Sequence, residues 1–296
     1  GATGALAVTV NDVDNPADDL ELTGTSGNAG IIPDGNIAIG GGGSSRTVIV
    51  SPSANANGGP VTIVLEVTDG MDPVQTSFDV TVNAVNDLPT ITGPGSQTID
   101  EDGTTGSLNV AVNDIDNDVA TLVLSGSSGD INVIPNANIA VGGSGPARTV
   151  TVTPAANANG GPIPITLAVT DGGAPVQTNF NVTVTAVNDA PTLVVPGPQT
   201  IGENTSTGLL PVTVADIDSP VNGLVLTATS NDQTIIPTGN IALAGSGANR
   251  TINVTPATDQ TGGPVNIDVT VSDGMASNSA DFDVTVSTVD DPPTIT

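Results

Sequence analysis

The stretch "LAVTDGGAPVQTNFNVTVTAV" (167–187) decides the architecture. Apolar and polar residues alternate on both sides of a Gly-Gly-Ala-Pro turn. The flanks are rich in Val and Thr, which favour the pleated, half-buried surface of a strand. Two strands joined by Asp171-Gly172 turn chemistry read as a hairpin. The same alternation runs through "RTVTVTP" (148–154), and "NANGGP" (157–162) reads as a further turn. No window carries the 3.6-residue period of an amphipathic helix.

The hairpin is one of three copies. Pro89, Pro191 and Pro293 stand 102 residues apart (191 − 89 and 293 − 191). Asn36, Asn138 and Asn240, the three Phe (Phe78, Phe180, Phe282) and the three Arg (Arg46, Arg148, Arg250) keep the same offset. A period of this size fits one small domain per repeat. The expected division is 1–87 for a first repeat lacking its opening strand, 88–189 and 190–291 for the next two, and 292–296 for the opening strand of another. The chain thus begins and ends inside a repeat, and the protein's own termini are expected elsewhere.

Within the second repeat the pattern predicts strands near 90–98, 106–113, 120–126, 132–140, 147–153, 163–170 and 178–187. Seven short strands in about 100 residues read as an antiparallel Greek-key sandwich of immunoglobulin-like type. The predicted fold is therefore all-β, with tandem sandwiches in an elongated array. Arg148, the sole cation of its repeat, is expected to make a local ion pair or carbonyl contact.

Composition narrows the function. The chain has 31 acids, three Arg, no Lys and no His, for a net charge of −28. Duplex nucleic acid and anionic membrane surfaces need clustered cations, so both are excluded as partners. No run of 18 apolar residues is present, so no membrane insertion is expected, and no signal peptide is visible. The absence of Cys and Lys excludes disulfides and lysine isopeptide cross-links. Without His, Cys, Lys, Tyr or Trp the usual general bases and nucleophiles are missing, and the acids recur from copy to copy as structural residues do. The chain is read as non-catalytic.

The acids recur in four places. An Asp-x-Asp follows the second strand: Asp12 and Asp14, Asp114 and Asp116, Asp216 and Asp218. A "DG" after the sixth strand gives Asp69, Asp171 and Asp273. The words "AVNDLPTI" (84–91), "AVNDAPTL" (186–193) and "TVDDPPTI" (288–295) carry Asn86 and Asp87, Asn188 and Asp189, Asp290 and Asp291. Glu101 and Glu203 close the first strand. Hard oxygen ligands of this kind suit calcium. In a sandwich, alternate loops meet at one end, so a joint between repeats collects carboxylates from both. Left alone they repel: two unit charges about 4 Å apart interact by roughly 4 kcal/mol at an effective dielectric near 20. The plain alternative is that the acids only keep the protein soluble.

The segment 167–193, extended through the linker "NDAPTL", resembles the end of a cadherin repeat and the start of the next. "VAVNDIDND" (110–118) resembles the cadherin Asp-x-Asp segment, and "TVTPAANANGGPIPITLAVTDG" (151–172) is similar to the bacterial cadherin-like repeats of large surface adhesins. The resemblance covers the whole chain. It implies a first joint using Asn86, Asp87, Asp114, Asp116 and Asp171. A second would use Glu101, Asn188, Asp189, Asp216, Asp218 and Asp273, and a third would begin with Glu203, Asp290 and Asp291. The acidic Leu-Asp-Arg-Glu motif of cadherins is replaced by "TPAANANGG" (153–161), and Ala186 and Ala190 stand where cadherin linkers have further ligands. One or two ions per joint, or none, is therefore the expectation.

The function this implies is an extracellular spacer or fibre shaft of a bacterial surface protein, stiffened by calcium. Extracellular modules bind calcium at about 10⁻⁴–10⁻³ M, and one ion at a hundredfold excess adds roughly 2.7 kcal/mol to the folded state. Its partners would be calcium and further repeats of the same chain. Two alternatives stand beside it. In one, "PPTIT" (292–296) of one copy completes the first repeat of another, giving a head-to-tail filament by strand addition. In the other, exposed loops bind a glycan or protein, although they lack aromatic anchors.

Overall fold

The computed structural model describes residues 1–290. It contains 22 strands and three short 3₁₀ turns, so the chain is all-β throughout. The strands form six sheets, two to a repeat, and each pair of sheets closes over its own core. The chain is a tandem array of immunoglobulin-like β-sandwiches.

The second repeat shows the plan. One sheet runs Ile139–Ser144, Ala147–Val152, Leu108–Asn113 and Thr90–Thr92. The other runs Val123–Ser128, Gly160–Thr170, Val176–Thr185 and Gln97–Asp100. All pairings are antiparallel except the last, in which Gln97–Asp100 lies parallel to the final strand. Alternate residues of the facing strands bury Val110, Val150, Ile165, Leu167, Phe180 and Val182 between the sheets. The third repeat copies this arrangement, with Phe282 in place of Phe180.

The first repeat has two three-stranded sheets, because its described residues start at the position of the second strand. Among the described residues its last strand, Val74–Val82, has no parallel neighbour. Phe78, Val80 and Val82 are only half-buried, whereas Phe180, Val182 and Val184 are buried.

Three details depart from the sequence expectation. The predicted strand at 90–98 is two strands in two sheets. The Gly93-Pro94-Gly95 break lets the chain cross over, and a Cβ on Gly93 would stand 2.9 Å from Thr178 Cγ2. The predicted strand at 132–140 starts only at Ile139. Before it, Pro135 opens a 3₁₀ turn over Asn136–Asn138, and Asn136 Oδ1 accepts a hydrogen bond from Ser128 N at 2.7 Å. The "GGP" of the expected turn already belongs to strand Gly160–Thr170 and forms a bulge against the final strand. Gly161 has φ +120°, and a Cβ there would meet Val182 O at 2.8 Å, so only glycine fits.

Arg148 contacts carbonyls, as expected. Its Nη2 donates to Val119 O (2.8 Å) and Leu122 O (3.2 Å), and its Nε to Gly145 O (2.9 Å). Arg46 and Arg250 repeat the contact with Ala17 O and Val221 O. Each guanidinium ties the loop that follows the second strand, which carries the Asp-x-Asp, to the neighbouring hairpin.

Candidate cation-binding joints

Each joint is built on an Asx turn. Asp114 Oδ1 accepts the N–H groups of Asp116 and Asn117, both at 2.8 Å. Asp216 Oδ1 does the same for Asp218 (2.9 Å) and Ser219 (2.7 Å). This local bond is why Asp-x-Asp folds as a tight loop rather than continuing the strand. It uses one carboxylate oxygen and leaves the other.

The linker then docks onto the next repeat. Asp87 N donates to Asp116 Oδ2 (2.6 Å), and Asp189 N to Asp218 Oδ2 (2.7 Å). The Asn86 amide donates to Asp171 Oδ2 (2.6 Å), and that of Asn188 to Asp273 Oδ2 (2.8 Å). The linker asparagines therefore hold the sixth-strand aspartates through their amide nitrogens. Asn86 Oδ1 is itself taken by Asn117 Nδ2 at 3.0 Å.

The preceding repeat reaches the same place through Glu101, which is only 4% exposed. Its Oε1 accepts from Val187 N (2.6 Å) and its Oε2 from Asn159 Nδ2 (3.3 Å). Glu203 Oε1 likewise accepts from Val289 N at 2.8 Å. These glutamates latch the end of each sandwich to the linker that leaves it. The sequence pattern singled out the glutamates but not this contact, because Val187 and Val289 take part only through their backbone.

The second joint thus gathers Glu101, Asn188, Asp189, Asp216, Asp218 and Asp273. A cavity of about 550 Å³ opens there between Asn157, Asp189, Thr192, Asp216 and Ile217. Burial pushes the Asp189 carboxyl above the usual aspartate range, and the charges of Asp218, Asp102, Glu101 and Asp216 push the same way. Sequence reasoning did not single out Asp102; its place beside Glu101 in "IDEDG" was the available signal. Asp171 is held below the usual range by the Asn86 amide and then by Gly173 N–H; Asp273 by Ala276 N–H, then Asn188 and Met275 N–H.

The first joint gathers Asn86, Asp87, Asp114, Asp116 and Asp171 beside a cavity of about 490 Å³ lined by Asn57, Val85, Asp87 and Asp116, among others. At the head of the first repeat, Asp12 Oδ1 accepts from Asp14 N and Asn15 N at 2.8 Å, and Asn15 Nδ2 reaches Asp69 Oδ2 at 3.0 Å. Those N–H groups, Asn15 foremost, lower the Asp12 carboxyl. Asp290 is exposed, and Asp291 lies outside the described residues with 292–296.

Three carboxylate oxygens are buried without any hydrogen-bond donor: Asp114 Oδ2 at the first joint, Asp189 Oδ2 and Asp216 Oδ2 at the second. A carboxylate oxygen buried without a donor carries a desolvation cost. Hard oxygens lacking donors are the chemistry a calcium ion takes up, so the residues present fit such an ion. Among the described residues, no group of three or more Asp or Glu side chains is placed to hold a metal ion, so the fit rests on the chemistry of these oxygens.

No family profile matches the chain, and no curated protein sequence matches it. Among solved structures it is similar to an I-band fragment from titin, at 10% identity over 97% of this chain and 93% of that one, with a TM-score of 0.40. It is also similar to a surface layer protein, SbsC, at 18% identity over 93% of this chain and 40% of that one, with a TM-score of 0.27. An endo-fucoidan hydrolase of glycoside hydrolase family 107 matches at 18% identity over 91% of this chain and 39% of that one, with a TM-score of 0.31.

Proposed function

We propose that this structural repeat module is a calcium-stiffened spacer or fibre shaft of an extracellular bacterial surface protein, akin to the bacterial cadherin-like repeats it resembles. The observation that carries this reading is the pair of buried, donor-free oxygens of Asp189 and Asp216 at the second joint. Asp189 comes from the linker and Asp216 from the following repeat. A divalent ion bound by both would tie the linker to that repeat, with Glu101, Asp102 and Asp218 adding negative charge around it. Bound calcium supplies positive charge that the chain lacks. The chain's own residues fix the loops: Asp218 and Asp273 hold the linker, and Glu101 holds Val187. The absence of Trp and Tyr anchors and of His, Cys and Lys supports a non-catalytic, load-carrying role over a binding or enzymatic one.

The test is thermal unfolding with calcium and with chelator, on the natural chain and on Asp189→Asn. Calcium is expected to raise the melting temperature of the natural chain and to leave the variant unmoved. A melting point indifferent to calcium in both sinks the proposal.

A further inference from the structure

We propose that Asn159 is a site of spontaneous deamidation, which converts the latch at the base of the second repeat from an amide–carboxylate contact into two facing carboxylates. Asn159 is exposed and stands in the loop just ahead of strand Gly160–Thr170. The residue after it is Gly160, at φ +147°. Without a Cβ, nothing shields the Gly160 nitrogen from the Asn159 side chain.

The chemistry needs only water. Gly160 N attacks Asn159 Cγ, so a new N–C bond forms and a cyclic imide closes. The Cγ–Nδ2 bond breaks, and ammonia leaves with the proton that Gly160 N gave up. Water then opens the ring at either carbonyl, giving aspartate or, with the backbone rerouted through the side chain, isoaspartate.

The consequence follows from what Asn159 touches. Its Nδ2 donates to Glu101 Oε2 at 3.3 Å, and the other oxygen of Glu101 accepts from Val187 N at 2.6 Å. Glu101 is 4% exposed. After conversion the donor is gone and a second anion faces a buried carboxylate. Two like charges facing each other at this distance repel, so Glu101 must move and its hold on Val187 weakens. Modification of this kind changes one charge and rewrites the local contacts.

The repeats themselves supply controls. The first repeat has the same word, "NANGGP" (55–60), with Asn57 before Gly58, but the position aligned with Glu101 falls ahead of Gly1. The third repeat has the latch, Glu203 to Val289, but Thr261 stands before Gly262 and cannot deamidate. Among the described residues, reactive amide and latch are seen together only in the second repeat.

The whole chain is aged in ¹⁸O-water at mildly alkaline pH in chelator, so that calcium plays no part, and then digested in ordinary water and mapped by mass. Residue 159 is expected to gain about three mass units, one for amide to acid and two for ¹⁸O in place of ¹⁶O, while N159Q stays unchanged there. In chelator, N159D is expected to melt roughly 5 °C below the natural chain, and E101Q/N159D to recover most of that loss by restoring one amide and one carboxylate. Survival of Asn159 as the amide while Asn57 converts overturns the proposal. So does an N159D melting point equal to that of the natural chain, or an E101Q/N159D chain no more stable than N159D.

Discussion

The two joints share their downstream half and differ in their upstream half. Both dock the linker through the same bonds, Asp87 to Asp116 and Asp189 to Asp218, and Asn86 to Asp171 and Asn188 to Asp273. At the second, Glu101 and Asp102 of the preceding repeat also come near; the positions aligned with them for the first joint lie ahead of Gly1. The first joint leaves one oxygen stranded, Asp114 Oδ2; the second leaves two, Asp189 Oδ2 and Asp216 Oδ2. At both joints the Asp-x-Asp turn is closed within one repeat, whereas the docking bonds need the linker as well.

The largest expected effect separates the repeats rather than the joints. Phe180→Ala, in a closed core, is expected to cost about 3–5 kcal/mol in denaturant unfolding. Phe78→Ala, half-buried beside an unpaired edge, should cost less than half as much. Equal losses would show that the first sandwich is as well packed as the second.

Calcium comes next. At a hundredfold excess over its dissociation constant, an ion at the second joint is expected to raise the melting temperature on the order of 10 °C. Asp189→Asn should abolish that rise and Asp87→Asn should leave most of it. A larger loss from Asp87→Asn would reverse the ranking of the joints.

A smaller effect lies in a clasp that the repeats write in opposite order. In the second repeat Asp102 Oδ1 accepts from Asn157 N at 3.0 Å. In the third, Asn204 Nδ2 donates to Asp259 Oδ1 at 3.0 Å, and Asp259 N to Asn204 Oδ1 at 3.1 Å. Asn157→Asp alone places two acids together and is expected to cost below about 1 kcal/mol. Adding Asp102→Asn should reproduce the third repeat's arrangement and recover the loss; urea midpoints of the two variants decide it.

Acid titration gives the smallest and most discriminating signal. The Asp189 carboxyl titrates higher folded than unfolded, so the folded chain holds more protons between those values. Its share of stability therefore rises as pH falls through the raised value. Asp171 and Asp273 titrate lower when folded. Their contribution is fully present above the unfolded aspartate value and is lost as pH falls toward the lowered one. Asp189→Asn, measured in chelator, should remove the acid-side gain and leave the loss at lower pH.

Much of this was legible in the chain because it depends on local period and on repetition. Val-Thr alternation defines strands, Asp-Gly and Asn-Asp-Pro mark turns and linkers, and an unbroken 102-residue offset shows that three copies share one plan. The failures cluster where a contact comes from elsewhere in the fold. The 90–98 stretch reads as one strand by period, yet Gly93 lets it serve two sheets. Asn86 and Asn188 read as oxygen donors, yet their amide nitrogens face the sixth-strand aspartates.

The amino-acid order alone determined the class of fold, the number of copies and the inventory of acids, since alternation, turn chemistry and charge are properties of short segments. Which oxygens end up paired and which stranded was decided only by tertiary structure. A carboxylate's partners, and the water it loses, depend on residues as distant in sequence as Glu101 and Val187, and on the burial that their meeting creates.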